Sequence, residues 1–447
     1  MAASVFDSAL LSRLFPTGDT GRLFTDSAAI RAMLLTEGAL ARVQGARGLI
    51  PETSAAAISR AVMEVQIDPA ALAAPTGENG VCVPALVSAL RTEMKAPEHA
   101  QFVHWGATSQ DIIDTALMLR LRQAFTLIET DLKKVLRALA GLAERHASLP
   151  MPARTYGQHA TPTSFGALAA AWGAPLLKLL EALPELRSSC LLVSLSGAAG
   201  TASELGPDVP DLRAAFAADL KLGDPGRSWH TDRTPILRLS DWLTRLTIGL
   251  GKLGDDLTEL VQSGIGEIVI SGAGASSTMP QKQNPVAPSV LVALARHTAG
   301  MHAVLQGSAM PRNQRDGAAW FTEWISLPQI VLGTASATET AAALCERLAP
   351  DTAAMARSLE GGNGVIHAEA LSFALADRMP RPDAQTVVKA LCAESRGTGT
   401  PLVDLVARDH PELDTVTLFD PACQMGQAPS DATRFAADVR AILAEEP

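Results

Sequence analysis

239-LSDWLTRLTIGLGKLGDDLTEL-260 carries a leucine at positions 239, 243, 246, 250, 253, 257 and 260. Alternating steps of four and three return every leucine to one face of a helix with 3.6 residues per turn. Three heptads of that seam predict a long helix packed side by side with others at small crossing angles. Upstream, Leu117, Leu121, Phe125, Ile128, Leu132, Val135, Leu139 and Leu142 follow the same steps and predict a second helix of roughly thirty residues. Further apolar runs cover about 164–195, 286–308 and 321–348, with Pro175, Pro184 and Pro328 expected at kinks or ends. Five long helices imply a central bundle.

The flanking segments read differently. Residues 1–110 alternate short helical patterns with breaks at 16–19, 48–54 and 74–80, and form a first helical domain. Residues 111–349 hold the bundle, and 350–447, punctuated at 360–364, 379–383 and 395–401, form a small third helical domain. The expected class is all-α. Composition agrees: 47% of the 447 residues are apolar and only 4% aromatic, so leucine and alanine must fill the core.

Several functions are disfavoured by bulk properties. A formal charge of -10 with no run of Lys or Arg speaks against nucleic acid. Cys82, Cys190, Cys345, Cys392 and Cys423 are widely spaced without a CxxC pair, which fits reduced thiols better than disulfides or zinc. No GxGxxG or Walker loop and no metal-ligand spacing occurs. The N-terminus lacks the pattern of a secretory signal, and the charge-free stretch 155–177 is broken by prolines and polar residues, so a cytoplasmic protein without membrane segments is expected.

Chemistry is sought where polar groups interrupt the apolar scaffold. Four islands stand out: 102-FVHWGATSQDIIDT-115, 153-ARTYGQHATPTSFG-166, 271-SGAGASSTMPQKQNPVAPS-289 and 310-MPRNQRDGAAWFTEW-324. Taken singly, each has a plain explanation. Thr108 and Ser109 followed by Asp111 suit a helix N-cap, and Arg312 and Arg315 suit a solvated surface. Taken together, they place hydroxyls, amides and cations at the ends of bundle helices, the equipment for holding a substrate with several carboxylates.

Those islands, in that order, resemble the signature motifs of the fumarase/aspartase superfamily. SSTMPQKQNP is similar to its mobile active-site loop, HWGATSQDIIDT to its first motif, RTYGQHATPTSFG to its second, and GGNGVIHAEALSFALADRM to the start of its third domain. The resemblance covers nearly the whole chain. It implies three helical domains, a homotetramer with shared active sites, a small polycarboxylate substrate and no cofactor or metal. By position it implies Ser276 as the residue that handles the Cα proton, with Lys282 beside it. Thr108, Ser109, Arg154, Thr155, Gln158, Ser277, Asn284 and Arg315 fall on substrate-holding positions.

Two departures narrow the chemistry. Most members carry a histidine after Arg-Thr of the second motif and a glutamate four residues beyond the Asn-Pro of the loop; here these are Tyr156 and Ser289. The usual acid–base pair is absent. Expelling hydroxide, whose conjugate acid has a pKa of about 15.7, demands a proton donor, whereas a carboxylate, conjugate to an acid near pKa ~4, leaves unaided. Opening a lactone by β-elimination expels such a carboxylate, and the reverse closes a carboxylate onto a double bond. HWGATSQDIIDT and the Trp-containing fourth island ending in EW resemble the motifs of the bacterial 3-carboxy-cis,cis-muconate cycloisomerases, a branch whose reaction is this closure. Rival readings are an adenylosuccinate-lyase-like elimination, which needs the missing pair, and a non-catalytic descendant, against which the intact Ser276, Lys282 and Asn284 speak.

Overall fold

The computed structural model describes residues 4–272, 274–275, 279 and 281–444. It is all-α apart from three two-stranded pairings. The five long helices are α1 (Ser109–Arg145), α2 (Phe165–Cys190), α3 (Thr234–Leu260), α4 (Val286–Leu305) and α5 (Gly317–Cys345). Every leucine of the α3 seam is buried, as are the apolar positions of α1 from Leu117 to Leu142. Burying each such side chain contributes about 2 kcal/mol, which is why a 4-3 leucine pattern dictates a helix with one inward face.

Of the two expected places, kinks or ends, these prolines do not take the ends: Pro175 and Pro184 lie inside α2 and Pro328 inside α5. Burial of the surrounding apolar residues outweighs the lost backbone bond. The anticipated break at 74–80 is itself a short helix, Ala73–Asn79, closed by Gly80 in the left-handed region at φ 71°. α2 is long and apolar enough to cross a membrane by composition, and half of its apolar window is buried within the protein.

The chain divides into two compact units, and the division cuts all five long helices. The first unit comprises 1–131, 179–248 and 293–340. Its core joins helices Asp26–Ala46, Glu52–Glu64, Val83–Met94 and Val209–Leu220 to the start of α1 through Leu34, Leu40, Ile58, Leu86, Ile112 and Phe216. The second unit comprises 132–178, 249–292 and 341–447. There Leu371, Leu375, Leu391, Leu402 and Val406 form a separate core among the C-terminal helices.

Glycines permit close approach at two places in the second unit. A Cβ on Gly254 of α3 would stand 2.5 Å from the Pro288 carbonyl oxygen of α4, and one on Gly173 of α2 would stand 2.1 Å from the Phe435 ring.

The second motif, which precedes α2, folds as a hairpin. Pro150–Thr155 (β1) and Gln158–Ser164 (β2) pair antiparallel, with Thr155 opposite Gln158. Tyr156 and Gly157 form the two-residue tip at φ 53° and 71°, the positive pair that a type I′ turn requires.

Candidate active site

At the start of α1, in the first unit, Asp111 is fully buried and acts as a hub. Its Oδ2 accepts from the backbone N–H of Thr108 (3.1 Å) and of Gly197 (2.9 Å). Its Oδ1 accepts from Ser196 N–H (2.9 Å) and the Ser194 hydroxyl (3.0 Å), and lies 2.8 Å from His230 Nε2. The carboxylate three residues into the helix thus reaches back to its cap and also pins the 194–197 segment. Ser194, His230 and Asp111 do not form a nucleophile relay. The serine hydroxyl and the carboxylate meet the same imidazole nitrogen, His230 Nε2, whereas a relay uses both nitrogens of the ring.

With its N–H engaged by Asp111, Thr108 presents its hydroxyl to Arg315, whose Nη2 donates to Thr108 Oγ1 (3.1 Å) and to the Ala198 carbonyl (3.2 Å). Arg315 Nε donates to Gln110 Oε1 (3.1 Å). Two islands therefore meet, bringing together Thr108 and Arg315 of the predicted set, 207 residues apart in sequence. Ser109, the first residue of α1, is half-buried beside them in sequence. Arg312 instead turns outward to Asp316 (3.0 Å), whose carboxyl is held at about 2 by hydrogen bonds from the Arg312 backbone and side chain.

Beneath Gln110 lies a cluster that the sequence did not announce. Arg233 is fully buried and forks onto two carboxylates, Asp114 (2.8 and 3.3 Å) and Glu323 (2.8 and 3.0 Å). Burial pushes the Glu323 carboxyl up from its ordinary range, against the pull of Arg233. His104, at φ 65°, binds Glu37 through Nδ1 at 2.7 Å. Burial alone would lower its pKa, and the Glu37 charge and hydrogen bond outweigh that and raise it above 6.5.

In the second unit, Arg154 of β1 makes a two-pronged pair with the buried Glu267, at 2.6 and 2.8 Å. Its Nη2 also lies 3.4 Å from His159 Nε2, and burial together with this cation lowers the His159 pKa. Arg154 and His159 line a cavity of about 880 Å³ with Gln262, Ser263, Asp351 and Arg357. Thr155 and Gln158 are exposed at the hairpin end on either side of Tyr156, which projects fully into solvent.

The signature loop is closed at its base by Gly274–Ala275 pairing with Gln283–Asn284. Lys282 is exposed, with its backbone N–H on the Met279 carbonyl at 3.0 Å, and Asn284 is half-buried. Ser276 and Ser277 lie outside the described residues. Ser289, where the superfamily has an acid, donates its hydroxyl to the Pro285 carbonyl of its own first turn, at 2.9 Å. Among the described residues no group of His, Cys, Asp and Glu is arranged to hold a metal, and all five cysteines are free.

Sequence reasoning noted Asp111 only as a capping signal and missed Asp114, Arg233, Glu323 and Glu267. Asp114, Glu267 and Glu323 are charged residues set among apolar neighbours, a signal of a buried ion pair whose partner no local pattern can name, whereas Arg233, within 230-HTDRT-234, carries no such signal.

The model of a family described as lyase matches residues 19–300. A 3-carboxy-cis,cis-muconate cycloisomerase of Pseudomonas aeruginosa is 36% identical over 97% of both chains. A nitrosuccinate lyase of Streptomyces davaonensis is 34% identical over 96% of this chain and 94% of its own. The crystal structure of the 3-carboxy-cis,cis-muconate lactonizing enzyme from Pseudomonas putida superposes with a TM-score of 0.91 at 32% identity, covering 98% of this chain and all of that one. Motif order, family match and full-length likeness in fold agree, and the chain belongs to the lyase family of the fumarase/aspartase superfamily.

Proposed function

We propose that the protein is an intramolecular lyase that closes 3-carboxy-cis,cis-muconate to its carboxymuconolactone, a step of protocatechuate breakdown. The observation that carries this reading is the pair of positions where the superfamily keeps its acid and base. Ser289 spends its hydroxyl on Pro285, and Tyr156 stands at a hairpin tip in open solvent. A reaction whose oxygen nucleophile and leaving group are carboxylates needs no such pair. Similarity to cycloisomerases over almost the full chain supports the same substrate class.

In the forward direction one carboxylate oxygen of the muconate forms a C–O bond to the adjacent diene, and the π electrons move to the neighbouring carbon as an enolate-like carbanion. Ser276 delivers a proton to that carbon and recovers one from solvent. Lys282, Asn284 and Arg315 stabilise the developing charge, while Thr108, Ser109, Thr155, Gln158 and Ser277 hold the remaining carboxylates. Arg154, its fork already occupied by Glu267, enters by fixing the hairpin that presents Thr155 and Gln158. The homotetramer with shared active sites belongs to this proposal. Exposed Ile248, Val304, Phe321 and Ile325 on α3, α4 and α5 are the apolar surface that supports association.

A second reading, elimination of a stable anion from a substituted succinate, is favoured by one finding, the full-length similarity to a nitrosuccinate lyase. Nitrite, like a carboxylate, departs without a proton. The lactonising reading is tested by offering the protein 3-carboxy-cis,cis-muconate, and the role of Ser276 in it with Ser276→Ala. Loss of the proton donor should lower lactonisation by about 10²–10⁴-fold in a folded, assembled protein; a near-normal rate would remove Ser276 from the mechanism, and no conversion by the unaltered protein would sink the reading.

A further inference from the structure

The cluster behind Gln110 has no part in the chemistry above, yet it is the most heavily charged buried group in the first unit. Arg233 is 4% exposed, and its guanidinium sits 4.7 Å over the Trp229 ring with a carboxylate on either side. Two carboxylates against one cation leave an excess negative charge, at full desolvation cost unless it is bonded. Asp114 directs part of that charge at Gln110, one helical turn before it on α1. Gln110 Nε2 donates to Asp114 Oδ2 (3.3 Å) and to the His230 carbonyl (3.0 Å).

That arrangement fixes the sense of the amide. With Nε2 facing two acceptors, Oε1 must face the other way, where it receives Arg315 Nε at 3.1 Å. A flipped amide would set N–H against N–H on the arginine side and oxygen against carboxylate on the other. Arg315, Arg233, Gln110 and Glu323 also line one small cavity. Two buried carboxylates that lacked Arg233 would then face Arg315, the other arginine that lines that cavity. Drawn inward, Arg315 would leave Thr108 Oγ1 and the Ala198 carbonyl.

We propose that Arg233 is a positioning residue for Arg315. By saturating Asp114 and Glu323 it orients the Gln110 amide and keeps the Arg315 charge directed toward Thr108, free to meet a substrate carboxylate. The inference rests on the proposed role of Arg315 and names the buried residues that sustain it.

The test is a double-mutant cycle on the assembled full-length protein, read by calorimetric binding of tricarballylate, an unreactive tricarboxylate. Arg233→Lys keeps one positive charge but cannot fork onto two carboxylates. Gln110→Met removes the amide and leaves the ion cluster intact, so it serves if Arg233→Lys melts below the assay temperature. Either change should weaken tricarballylate binding about tenfold, within the coupling found between residues of one hydrogen-bond and ion-pair network. KM for the reactive substrate should rise in step. In an Arg315→Lys background the same changes should cost less than about twofold, because the group they position is gone.

Binding within about twofold of wild type in folded Arg233→Lys and Gln110→Met would overturn the proposal. So would losses that simply multiply with Arg315→Lys. Because the readout is binding rather than turnover, a protein that does not convert muconate would remove the lactonising reading without touching the coupling between Arg233 and Arg315.

Discussion

Asp111, itself at zero exposure, accepts hydrogen bonds from three backbone N–H groups and the Ser194 hydroxyl and contacts His230. Asp111→Ala strands those donors together, so it should lower stability by about 3 kcal/mol or more, read as a fall in the urea midpoint. His104 gives a pH test. Its pKa in the folded protein lies above 6.5, so its pairing with Glu37 contributes fully below the unfolded value and is lost as pH rises through the raised one. The stability gap between wild type and His104→Gln should accordingly be wider at mildly acidic than at alkaline pH. A gap independent of pH would contradict the raised pKa of His104. Tyr156→Phe separates a turn residue from an acid. Turnover within about threefold of wild type is expected, whereas loss of a working general acid costs about 10²-fold or more.

Among elements, the long helices were legible because leucine spacing reports directly which face is inward. The hairpin was not. PMPART and QHATPTS carry three prolines at 150, 152 and 162 and no apolar alternation, so they read as loop, yet they pair because β1 and β2 are adjacent in sequence and joined by a tight turn. The motif residues were legible by type, and Thr108 and Arg315 do meet. What sets them did not show: Arg233 finds Asp114 and Glu323 across 119 and 90 residues, a distance over which no periodicity speaks. Packing between α3 and α4 offers its own check. Gly254→Ala drives a methyl group onto the Pro288 carbonyl and the Leu291 side chain, and should lower stability by about 1–3 kcal/mol in a thermal melt.

At the scale of the whole molecule, the long helices leave Ile325 70% exposed, with Ile248, Val304 and Phe321 also in solvent. The proposed homotetramer would cover such surface, so under that proposal sedimentation should give four times the chain mass, and Ile325→Glu should shift the population toward smaller species. Function rests on one substrate. Purified protein offered 3-carboxy-cis,cis-muconate should bleach the diene absorbance at catalytic protein concentration, with a lactone as product. An unchanged diene signal, from a preparation that releases nitrite from nitrosuccinate or fumarate from adenylosuccinate, would contradict the account.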